Sequence, residues 1–158
     1  MAGEPLPSLK GYYFEDLEVG QRHASPRVTV TEDAIIRFAL EWDPHAFHID
    51  REEAKTSIFG QLVGSGLQTL LLTSRMVYDS GIFRGTSLAG LAVGEMQFLK
   101  PLLPGDTIGA VTEILEKAET ARPTRGRTKL RTETVNQRGE TVLEMENSGM
   151  FLARGAAA

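Results

Sequence analysis

Apolar positions recur at helical spacing in the first third of the chain. In VTVTEDAIIRFALEW, Ile35, Ile36, Ala39 and Leu40 form a stripe at intervals of three and four, the period of an amphipathic helix. Thr31 offers an N-cap oxygen, and Glu32 and Asp33 put negative charge at the positive end of the helix dipole. Pro44 disfavours helical geometry at the residue before it, so the helix is predicted to stop at Asp43. Asp43 and His48 are then expected on the loop just past its end. A second helix is predicted in GSGLQTLLLTSRMVYDSG. Ser65, with Gln68 three residues on, has the form of a capping box, and Gly81 ends the helix. Leu67, Leu70, Leu71, Leu72, Met76 and Val77 cover it almost all round, which predicts burial on most sides.

From Ser87 onward the pattern turns to strands. SLAGLAVGEMQFLK, TIGAVTEILEKAE, RTKLRTETVNQ and ETVLEMENSGMFLA are the candidates, with turn signals at Pro104–Asp106 and Gln137–Gly139. Short turns imply antiparallel pairing. One further short strand is expected between Gly20 and Thr31. The expected plan is α+β: an antiparallel sheet wrapped around one long buried helix.

The chain's 158 residues suit a single domain spanning 1–158, with 153–158 expected as a disordered tail. A net charge of −4 argues against nucleic acid as the main partner. With no cysteine, a disulfide, a thiolate nucleophile and a thiolate metal site are all excluded. The longest apolar run, LVGSGLQTLLL, is shorter than the roughly 20 residues of a membrane span. The N-terminus lacks an apolar signal-peptide segment, and a cytoplasmic location is expected.

WDPHAFHID carries the main candidate chemistry. Asp43 and His48 can act as acid and base on one water, and the same spacing also fits a turn cap beside a half-buried histidine. Gly64, Ser65 and Gly66 precede the second helix. Its unpaired first-turn N–H groups can hold an anion or a carbonyl oxygen; a cap with glycines for close packing is the other reading. ARPTRGRTKLR concentrates Arg122, Arg125, Arg127, Lys129 and Arg131, of which the last three share a strand face. It reads either as a phosphate dock or as a solvated face. His45 and His48 lack the regular element and third ligand of a metal site, so none is expected.

WDPHAFHID, FGQLVGSG, FLKPLLPGDTI and VNQRGETV follow YYFEDLEVGQ in one order along nearly the whole chain. In that combination the chain resembles the MaoC-like dehydratases, a family that includes (R)-specific enoyl-CoA hydratases. The resemblance implies a hot-dog fold, a long central helix wrapped by a curved antiparallel sheet. It implies that Asp43 and His48 are the catalytic pair. The Gly66 N–H would hold the thioester carbonyl, supported by Ser65 and Gly64. The implied activity is reversible hydration of trans-2-enoyl-CoA to (R)-3-hydroxyacyl-CoA, without metal or cofactor. An acyl-CoA, or less typically an acyl carrier protein ester, is the implied substrate. CoA phosphates would give Arg125, Arg127 and Lys129 a partner, within one subunit or across a homodimer or higher oligomer. His45 and Ala46 depart from the Asn or Gln and the Pro of many relatives. A hot-dog thioesterase would need a carboxylate near the start of the central helix, where only the distant Asp79 is offered. An acyl-CoA-binding protein without turnover is the non-enzyme alternative. Met76, Phe83 and Met96 are the expected pocket walls.

Overall fold

The computed structural model describes residues 11–155. A short 3-10 turn, Phe14–Asp16, leads into β1 (Arg22–Ala24) and β2 (Val28–Thr29). Three helices follow: α1 (Glu32–Trp42) and the single turns α2 (Ala46–Ile49) and α3 (Arg51–Ala54). Then come α4 (Gly66–Asp79) and four long strands, β3 (Ser87–Phe98), β4 (Thr107–Glu119), β5 (Arg125–Val135) and β6 (Thr141–Leu152). The sheet order is β1-β4-β5-β6-β3, every pair antiparallel, with β2 beside the start of β4. This is the expected α+β hot-dog layout.

Burial alternates along β4 and β5, so one sheet face is buried and takes α4. Ile108, Ile114 and Leu130 from the sheet, Ile35 from α1, and Phe151 from β6 are all fully buried. Thr73 on α4 meets Thr134 on β5 at 2.6 Å, an internal bond that satisfies both hydroxyls. Gly105 and Gly139 turn the chain with φ of 85° and 79°, where a side chain would be strained. Asp106, buried between these turns, accepts from the Leu103 N–H, Gln137 Nε2 and Arg138 Nη1. Burial pushes its carboxyl up, but those donors outweigh burial and hold it below its ordinary range.

The first helix starts and stops as its pattern predicts: Thr31 Oγ1 accepts from the Ala34 N–H, and Asp43 is the C-cap. Several expectations are corrected. Leu40 is exposed although it belongs to the stripe. His48 sits on the one-turn helix α2 rather than on open loop. The central helix is not buried on most sides. Leu67, Leu71 and Tyr78 are half exposed, because one face packs on the sheet and no other element among the described residues covers the opposite face. The capping box is only half made. Ser65 Oγ accepts from the Leu67 N–H, but Gln68 turns away to the Ala34 carbonyl. Ala153 and Arg154 do not form the expected disordered tail. Ala153 is buried and donates to the Thr124 carbonyl, and Arg154 pairs with Asp16. Residues 156–158 lie outside the described region, as does most of the N-terminal stretch judged free of a signal segment. No described helix is long and apolar enough to cross a membrane.

Candidate active site

Pro44 ends α1, and the chain folds straight back on itself. The His45 N–H donates to the Asp43 carbonyl at 2.8 Å, and the His48 N–H donates to His45 at 2.9 Å. This one turn of helix carries His48 back over Asp43. His48 is 5% exposed. Its Nδ1 lies 2.7 Å from the Val63 carbonyl, which can only accept, so Nδ1 carries the proton. Nε2 is therefore the ring atom left for proton exchange, and it faces Asp43 Oδ2 at 3.5 Å.

Asp43 is fixed from the other side by Ser65, whose hydroxyl is fully buried and donates to Oδ2 at 2.6 Å. The same Ser65 oxygen accepts from the Leu67 N–H at 3.1 Å, so one side chain both caps α4 and orients the carboxylate. Asp43 Oδ1 faces His45 Nε2 at 3.4 Å. The His45 ring is exposed to solvent and stacks flat on Phe47.

The two glycines differ in role. The Gly64 N–H is taken by the Leu102 carbonyl at 2.7 Å, and a Cβ there would press on Leu102 at 3.0 Å. Gly66 is the first residue of α4, and its N–H has no acceptor among the described residues. A Cβ on Gly66 would come within 3.1 Å of the Phe98 ring. Gly66 therefore keeps the positive end of the helix open to a close neighbour.

A cleft of about 370 Å³ runs along this assembly, bounded by Phe47, His48, Gly64, Gly66, Phe98 and Lys100. The structure thus brings Asp43, His48, Ser65 and Gly66 together. It does not bring Arg125, Arg127 or Lys129 to the same cleft. Lys129 is held by Glu146 at 2.8 Å, Arg127 is exposed, and Arg125 reaches the Met150 sulfur. None of Met76, Phe83 and Met96 lines the cleft either; Met76 belongs to the core. Asp79 is paired with Arg75 at the far end of α4. Among the described residues, no group of three or more His, Asp or Glu is placed to hold a metal ion.

Three participants escaped the sequence reading. Lys100 lines the cleft but was not singled out within FLKPLLPGDTI. Val63 acts through its backbone carbonyl, which no side chain announces. Gln68 was assigned to a cap. A carboxylate and an imidazole aimed at each other, beside an open helix N-terminus, can move a proton at one carbon of a substrate while polarising a carbonyl.

Known proteins share this sequence pattern and this fold. Residues 16–136 match the family model described as MaoC like domain. The (R)-specific enoyl-CoA hydratase of Rhodospirillum rubrum is 30% identical over 150 residues, covering 91% of this chain and 94% of that protein. The uncharacterized protein YdeM of Bacillus subtilis is 31% identical over 135 residues, covering 85% of this chain and 95% of that one. The crystal structure of the MaoC-like dehydratase from Rhodospirillum rubrum aligns with a TM-score of 0.86 at 36% identity, covering 92% of this chain and 100% of that chain.

Proposed function

Since the chain belongs to the MaoC-like dehydratase family, we propose that it adds water reversibly to a trans-2-enoyl-CoA, giving the (R)-3-hydroxyacyl-CoA, with Asp43 and His48 as its catalytic pair. The observation that carries this is Asp43 Oδ2, gripped by Ser65 at 2.6 Å and faced by His48 Nε2 at 3.5 Å. In the hydration direction the thioester carbonyl rests on the Gly66 N–H. Asp43 takes a proton from water as its oxygen attacks the β-carbon. His48, carrying a proton on each ring nitrogen when the substrate reacts, gives the Nε2 proton to the α-carbon. Both groups approach from one side, so addition is syn. Asp43 then passes its proton to His48 Nε2, and the pair is restored without net exchange. One N–H aimed at a developing enolate oxygen lowers the barrier by about 3 kcal/mol. The thioester itself acidifies the α-carbon, so the chemistry calls for no metal or redox group.

The proposed assembly is a homodimer. β3 is an edge strand exposed at every position but Met96, with Leu88, Leu91 and Val93 in solvent. The uncovered side of α4 adds Leu67 and Leu71. A long apolar edge of this kind invites a second strand. Lys100 lines the cleft, where it would meet a CoA phosphate in exchange for its loose pairing with Glu140 at 3.7 Å. Arg125, Arg127 and Lys129 would serve a cleft only across a subunit boundary.

The test is crotonyl-CoA hydration, followed by loss of enoyl-thioester absorbance and chiral analysis of the product. The wild type should form (R)-3-hydroxybutyryl-CoA, and Asp43→Ala and His48→Ala should each lose at least about 10³-fold in kcat. Turnover that survives both substitutions would dismiss the assignment of the pair.

A further inference from the structure

His45 stands beside the catalytic pair, and the mechanism above leaves it unused. The turn after Pro44 puts it there. Its N–H donates to the Asp43 carbonyl at 2.8 Å, and its ring comes back on the same residue. The ring lies flat on Phe47, with centroids 5.2 Å apart and planes 5° from parallel. Phe47 in turn packs edge-on against His48 and leans on Phe59. Packing thus holds the His45 ring, although the side chain is 66% exposed.

The two oxygens of Asp43 have different neighbours. Oδ1 faces His45 Nε2 at 3.4 Å, while Oδ2 faces His48 Nε2 at 3.5 Å and takes the Ser65 hydroxyl at 2.6 Å. Each oxygen therefore has its own imidazole. The two imidazoles differ in their access to water. The His48 side chain is 7% exposed and its Nδ1 is tied to Val63, whereas the His45 ring meets solvent directly. Histidine is the side chain whose charge ordinarily changes between pH 5 and 8. Among the described residues, Asp43 and His48 are the titratable groups that face the His45 ring, the His48 centroid lying 6.2 Å away.

A charge on His45 bears on the reaction through Asp43. During hydration Asp43 loses its negative charge as it takes the water proton, and His48 loses its positive charge to the α-carbon. A His45 cation attracts the starting carboxylate and repels the starting His48 cation, and the reaction gives up both interactions. The attraction acts over 3.4 Å and the repulsion between rings 6.2 Å apart, so the nearer one decides and the barrier rises. Dehydration crosses the same transition state from the same resting pair and slows equally. We infer that His45 is a positioning residue that sets the basicity of Asp43. Neutral, it leaves the carboxylate free to take the water proton; protonated, it pairs with Oδ1 and restrains both directions. This inference rests on the hydratase reading. Water screens a pair this exposed, so the effect is a factor of about three to five rather than an on–off switch.

The test is the pH dependence of kcat/KM for crotonyl-CoA hydration in the wild type, His45→Asn and His45→Gln. Asn and Gln keep the backbone N–H and a polar tip but cannot carry charge. Asp43 and His48 are present in all three proteins, so the ratio of wild type to variant isolates His45. That ratio should fall about three- to fivefold from pH 8 to pH 5.5, and the fall should shrink in high salt, which screens exposed charges. A ring that only props the loop would change the rate by one factor at every pH. A flat ratio for either variant overturns the inference, and so does a ratio that rises toward acid. If the wild type does not hydrate crotonyl-CoA, the hydratase reading fails instead. Urea unfolding of wild type, His45→Asn, Asp43→Asn and the double variant then reads the contact itself. A coupling of about three- to fivefold in the folding equilibrium at pH 5.5, absent at pH 8, keeps the charge contact between His45 and Asp43. No coupling, or the same coupling at both pH values, overturns it.

Discussion

Ser65→Ala removes two bonds with one atom. Ser65 Oγ caps α4 by accepting from the Leu67 N–H at 3.1 Å and donates to Asp43 Oδ2 at 2.6 Å. Loss of an N-cap hydroxyl costs about 1 kcal/mol. A hydrogen bond to a charged group is worth about 1.5–3 kcal/mol. Asp43 keeps some solvent contact, its side chain being 19% exposed, so water can replace part of the second bond and the lower figure applies. The expected loss is therefore about 2.5 kcal/mol, a fall in Tm of about 5–10 °C for a domain of this size. The double variant Asp43→Ala with Ser65→Ala separates the two terms. In the Asp43→Ala background, Ser65→Ala should cost only the cap, about 1 kcal/mol, so the coupling between the residues is about 1.5 kcal/mol. Urea unfolding at one fixed protein concentration reads all four proteins, since association would otherwise shift the midpoint. The same variant should lower kcat on crotonyl-CoA at least about tenfold with KM nearly unchanged, because it leaves Asp43 unanchored during proton transfer. Additive losses, or a Ser65→Ala enzyme with full kcat, would refute the view that Ser65 orients the carboxylate.

Two further expectations concern the frame around the site. His23 on β1 is buried edge-on against Tyr12, and its Nε2 has no partner among the described residues. Burial lowers its pKa from 6.5, so the unfolded chain binds that proton first; the contribution of His23 is intact above about pH 6.5 and is lost as pH falls below it. Urea midpoints at pH 7.5 and 5.5 should diverge in the wild type and diverge less in His23→Phe; an equal divergence in both removes His23 as the cause. Replacing Leu91 and Val93 together by Lys places charge on the exposed β3 edge. Sedimentation should then show a monomer where the wild type shows a dimer, and an unchanged dimer would locate the interface elsewhere.

Much of this geometry was legible because it is local. Thr31 and Pro44 bound α1 through chemistry that acts within a few residues, and the structure keeps both ends. Ser65 was identifiable as a cap for the same reason. The spacing of Asp43 and His48 left both a turn and an acid/base pair open. Only the bond from His48 Nδ1 to Val63, fifteen residues away, turns Nε2 toward the carboxylate. Gln68 was misread because a capping box and a cross-helix bond demand the same residue at the same place. What decides between them is whether α1 presents a carbonyl, and Ala34 does.

The central helix draws the line most clearly. Its sequence alone determined that it is helical, where it starts and that it is rich in leucine, because propensity and capping are properties of neighbours along the chain. It could not say which leucines meet the core. That depends on how many faces the sheet and α1 cover, and they leave Leu67 and Leu71 in solvent while burying Gln68, Thr69 and Thr73. The basic run shows the same limit. Alternation put Arg127, Lys129 and Arg131 on one face, yet sheet order decided that this face carries Glu144 and Glu146 to pair with Lys129 and Arg131, rather than the His48 cleft. Period and capping are set over a few residues, but a side chain's partners are set by which strands and helices lie beside it, and that is a property of the whole fold.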